Sequence, residues 1–99
     1  MSHKGTLEWY RFIFMNEGLR EMIAAISDIM KESNNPASPE RLDKFIKGIL
    51  YGANPDGTVR TRPPEPNMND LGKGHEGQDK YKFESKVWKL WIAQRNKGE

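Results

Sequence analysis

The stretch TLEWYRFIFMNEGLREMIAAISDIMKE, residues 6–32, decides how this chain is built. Phe12, Met15, Leu19, Met22, Ile26 and Ile29 recur at alternating steps of 3 and 4. Ile23 and Met30 widen that stripe to the breadth of a globular-helix face, so the spacing predicts one long helix over about residues 6–32. Thr6 can cap its start by accepting from an orphan backbone N–H. The run Ser33, Asn34, Asn35 and Pro36 supplies its stop, because the residue before a proline avoids helical ψ. Gly18 opposes the continuous reading, since a glycine inside a helix costs about 1 kcal/mol relative to alanine. In the competing reading the chain breaks near Asn16, Glu17 and Gly18. The aromatic and β-branched segment Leu7 to Met15 is then a strand, and only Leu19 to Lys31 is helical.

Working outward, Ser38, Pro39 and Glu40 read as an N-cap, a proline at the first helical position and an early carboxylate at the positive end of the helix dipole. Leu42, Phe45, Ile46, Ile49 and Leu50 share one face, which predicts a second helix over about residues 39–51, closed by Gly52. A connection of about six residues makes the two helices an antiparallel hairpin whose stripes bury each other. Residues 53–78 then turn rich in Pro and Gly, and hold almost no apolar residue except Val59, Met68 and Leu71. They read as a long extended or flexible loop, with a turn at Asn54, Pro55, Asp56 and Gly57 and a polyproline segment at Arg62 to Pro66. A C-terminal helix over about residues 80–96 follows, with Phe83, Val87, Leu90 and Trp91 on one side and Trp88, Ile92 and Arg95 beside it. The fold class is therefore mostly α; the alternative is α+β, with the N- and C-terminal aromatic segments as strands.

Composition bounds the rest. Ninety-nine residues make a single small domain, 1–99, burying only about 60–65% of the surface its unfolded chain exposes. Sixteen Lys plus Arg stand against 14 Asp plus Glu, and a net +2 is not by itself a nucleic-acid signature. With no cysteine there is no disulfide, no thiol catalysis and no Cys-based metal site. No run is apolar enough to span a membrane, and Met1 to Gly5 lacks the apolar core of a secretory signal. The expected location is cytoplasmic and reducing.

The motifs that resemble chemistry fail on context. Gly72, Lys73, Gly74, His75, Glu76 and Gly77 match a phosphate-cradling glycine string, but no strand precedes it and too few residues remain for a βαβ unit. His75, Glu76 and Asp79 loosely follow a zinc-protease helix, yet glycines at 74 and 77 disfavour the helix that would align two ligands. His3 and His75 beside scattered serines form no nucleophile, base and orienter set, and Glu17 with Glu21 reads as a solvated face. No catalytic residue, metal, cofactor or small-molecule substrate is expected.

Two surfaces remain. Lys86, Lys89 and Arg95 interleave with Trp88 and Trp91, and one helical stripe cannot hide both tryptophans. Tyr10 and Phe14 lie off the Phe12 stripe and, with Trp9 of the same aromatic cluster, need cover from elsewhere in the chain or from another molecule. Arg60 and Arg62 precede Pro63 and Pro66 at a spacing suited to a loop contact, although a stiff spacer explains it as well. The expected role is a small non-enzymatic protein-interaction module, a regulator, inhibitor or assembly subunit, with a protein partner or a second copy of itself. The alternative is nucleic-acid binding through the basic, Trp-bearing C-terminal helix.

Overall fold

The computed structural model describes residues 3–34 and 38–97. Among them the chain is mostly helical: α1 (Leu7–Glu17), α2 (Leu19–Glu32), α3 (Pro39–Leu50), a 3-10 turn (Met68–Gly72) and α4 (Gly74–Lys97), with no strand. The α+β alternative is thereby set aside, since both aromatic segments are helical. Among the described residues no helix is long and apolar enough to cross a membrane. Two compact units divide the chain, Met1–Ile49 and Leu50–Glu99.

In the first unit, Thr6 caps α1 as its sequence implies, its Oγ1 accepting from Trp9 N at 3.2 Å. The single helix over 6–32 is corrected at Gly18, whose φ of 109° and ψ of 179° lie in a region essentially open only to glycine. Here the chain doubles back. Lys4 Nζ lies 4.0 Å from Glu32 Oε1, and a Cβ built on Gly5 would sit 3.6 Å from Ile29 Cδ1. A straight helix would hold residues 4 and 32 about 42 Å apart at 1.5 Å per residue. The antiparallel pair is therefore α1 with α2, the two halves of the expected rod.

Reversal at Gly18 also resets the helical phase, so the apolar stripe does not carry across it. On α2 the reading holds, with Met22 and Ile26 wholly buried. On α1 it inverts: Tyr10 and Phe14 are buried, while Phe12 is 63% exposed. The α2 terminus is closed by Ser33, whose N and Oγ both donate to Ile29 O; Asn35 and Pro36 of the expected stop lie outside the described residues.

Helix α3 begins as expected, with Ser38 Oγ accepting from Arg41 N at 3.2 Å, and ends one residue earlier than expected, at Leu50. It meets α1 through an edge-on Tyr10–Phe45 ring pair, centroids 5.5 Å apart, and through Arg11 Nε donating to Ile49 O at 3.1 Å. The expected hairpin of a 6–32 helix with a 39–51 helix is thus replaced by a shorter one, to which α3 adds through α1.

In the second unit the Asn54 to Gly57 turn closes with Gly57 N donating to Asn54 O at 2.9 Å, flanked by an isolated antiparallel bridge between Ala53 and Val59. Thr58 donates to Asp56 Oδ1 from both its backbone N and its hydroxyl, which holds the Asp56 carboxyl below its usual range. Residues 53–78 are not extended throughout. Asn67 caps a 3-10 turn through Asn69 N, and α4 begins at Gly74, six residues ahead of the expected start near 80.

Candidate functional site

The early start of α4 follows from packing at Gly77. An added Cβ there would collide with the backbone carbonyl oxygen of Asp70, so only glycine lets the first turn of α4 lie against the 3-10 turn. The glycine string is therefore explained by backbone meeting backbone, and the expected helix-breaking effect of glycines 74 and 77 is overridden by tertiary contact. His75 and Asp79 do stand one helical turn apart, both exposed, and among the described residues no group of three His, Cys, Asp or Glu comes together to hold a metal.

Asp70 is carried beneath that turn and is 2% exposed. Lys73 Nζ approaches its Oδ1 at 3.4 Å and Lys80 Nζ its Oδ2 at 3.6 Å, and Oδ2 has no hydrogen-bond partner. The two ammonium groups compensate the charge of this buried carboxylate. This joins the 3-10 turn to α4. Nothing in the sequence pattern marked Asp70, because its partners lie 3 and 10 residues ahead and only the turn brings Lys80 round to it.

Farther along α4, Trp88 and Trp91 sit one turn apart with ring centroids 5.2 Å apart. Both are half-buried. Arg62 arrives from the Pro-rich segment, its Cζ 5.0 Å from the centroid of Trp91 and 6.0 Å from that of Trp88. Arg95, one turn beyond Trp91, places its own Cζ 4.7 Å from the same ring. Two guanidinium groups thus attend one indole, at separations where the ring quadrupole attracts a cation. Both arginines are exposed, and among the described residues neither forms an ion pair with a carboxylate. Pro63, next to Arg62, is buried, so the segment is seated rather than being a solvated spacer.

The expected site residues therefore separate. Trp88, Trp91, Arg95 and Arg62 come together; Lys89 is exposed and Lys86 half-buried on the flank of the same helix. Arg60 is half-buried, its backbone N donating to Gly52 O at 3.0 Å, and it has no part in the stack. Tyr10 and Phe14 leave the surface for the core of the first unit, and Trp9 is half-buried edge-on to Tyr10 at 5.2 Å. Burial pushes the Tyr10 phenol above its ordinary 10.0.

Phe12 takes the exposed place. Seven of the eleven residues of α1 are large and apolar: Leu7, Trp9, Tyr10, Phe12, Ile13, Phe14 and Met15. A helix apolar on all sides is one built to be covered on all sides. Trp9 and Met15, three residues either side of Phe12, are only half-buried. This face was legible only to a reader who stopped the helical phase at Gly18.

No protein-family model, curated protein or solved structure matches this sequence.

Proposed function

We propose that this chain is a small, non-enzymatic protein-interaction module, and that its partner lies on the outer face of α1. The observation that carries this reading is Phe12, 63% exposed on a helix whose opposite face already buries Tyr10 and Phe14. Covering its exposed part is worth about 2–4 kcal/mol by area, at 150–250 Å² per aromatic side chain, which is the scale of an interface hot spot. Trp9 and Met15 flank it to make a continuous apolar strip. The tryptophans of α4 supply less open apolar surface, because each is half-buried and attended by Arg62.

The test is affinity capture from the source cells with the wild-type chain and with Phe12→Glu, after nuclease treatment and at high salt. Phe12 is exposed, so the variant should keep its helical circular dichroism. A stoichiometric protein held by wild type and lost by the folded variant is the expected result. Equal capture by both chains, or a partner that leaves with nuclease, would refute the reading.

A further inference from the structure

We infer that the Arg62, Trp91 and Arg95 stack, with Trp88 beside it, is a binding site for single-stranded nucleic acid. All four residues belong to the second unit, apart from the α1 face. Lying by an indole fixes the flat group and its stem, yet uses none of its five N–H donors. Arg62 and Arg95 are so placed, exposed, and without a carboxylate partner among the described residues. Two exposed guanidinium groups therefore lie beside one indole ring. Their complement is a ligand with anionic oxygens and flat faces in alternation.

The charge distribution agrees. Residues 1–49 hold seven basic and seven acidic side chains, whereas 50–99 hold nine and seven, so the whole net +2 belongs to the second unit. Of its basic groups, Lys73 and Lys80 are committed to Asp70. Lys82 and Lys89 are exposed on the same helix, on the side away from Trp91 and Arg95. Exposed guanidinium groups beside aromatic rings are one way in which single strands are held without base-specific hydrogen bonds. A duplex keeps its base faces stacked inside and offers this platform only phosphates. An acidic peptide would satisfy the donors but leave the ring and guanidinium planes without a flat partner.

The experiment measures anisotropy of fluorescently labelled oligo-dT and oligo-U, a duplex of equal length, and polyglutamate, each titrated with the full chain while tryptophan emission is followed. Single strands of either sugar should bind with quenching of tryptophan, more tightly than the duplex, and with affinity falling as salt rises. Arg62→Lys and Arg95→Lys keep the charge and remove the planar fork. Each should weaken binding by about five- to a hundredfold, the loss of one stacked contact. Both variants should retain wild-type circular dichroism, and Phe12→Glu should bind oligo-U as wild type does, which separates this site from the α1 face. Polyglutamate binding as tightly as oligo-U would overturn the inference in favour of a general anion patch. So would equal affinities of wild type and both lysine variants, or no single-strand binding at low salt.

Discussion

Gly18→Ala tests the feature on which the first unit depends. An alanine at φ 109° and ψ 179° carries a backbone strain of about 1–3 kcal/mol. Steric crowding adds nothing, because no heavy atom lies within 4 Å of the Cβ position. The same substitution favours the unbroken rod by about 1 kcal/mol through helix propensity. The hairpin-to-rod balance therefore moves by about 2–4 kcal/mol, roughly thirty- to a thousandfold. Against this stand the buried side chains Tyr10, Phe14, Met22 and Ile26, together worth about 6–12 kcal/mol. The hairpin should thus survive as the major folded form, at a stability lowered by about 1–3 kcal/mol. Urea unfolding followed by circular dichroism reads that loss directly. Geometry is read separately by spin labels on cysteines introduced at positions 4 and 32, which the absence of native cysteine makes specific. A short separation is expected, since the native side chains at these positions meet at 4.0 Å, against about 42 Å for a rod. Unchanged or raised stability in the alanine variant would refute the argument from backbone strain, and a separation near the rod value in wild type would refute the hairpin.

Gly77→Ala should be costlier than a helical glycine-to-alanine change normally is, because the new methyl meets the Asp70 carbonyl and the Lys73 Cβ. Overpacking of this kind costs about 1–3 kcal/mol, and exchange protection of the first α4 amides should fall with it; a variant as stable as wild type would show that α4 does not seat there. The raised pKa of Tyr10 bears on alkaline stability: above 10.0 the unfolded chain releases the phenol proton before the folded one, so this contribution is intact below that pH and lost as pH rises through the higher folded value. The alkaline fall of the urea midpoint should therefore be shallower in Tyr10→Phe than in wild type, with Tyr51, Tyr81 and the lysines common to both; equal slopes would place the phenol in water.

Local signals were legible wherever one residue decides a local geometry. Thr6 and Ser38 as caps, Pro39 as a helix opener and the Asn54 to Gly57 turn all follow from chemistry within four residues. The α2 stripe was legible for the same reason, since Met22 and Ile26 share a face on any regular helix. Phase across Gly18 was not. A 3 and 4 spacing assumes an unbroken axis, and one glycine at positive φ turned Phe12 from core to surface and Tyr10 and Phe14 from surface to core. The start of α4 failed in the opposite sense. Propensity placed glycines 74 and 77 in a loop, whereas the close approach of Gly77 to Asp70 required a glycine inside the helix.

For the candidate sites, the sequence by itself determined which side chains were in surplus: rings on α1 beyond what one face can bury, and tryptophans with cations on α4. Only the tertiary structure decided where they stand. Arg62 reaches Trp91 across 29 positions of chain, and Asp70 reaches Lys80 across 10. Such pairings come from turns that return the chain on itself, and no periodicity within a single element carries them.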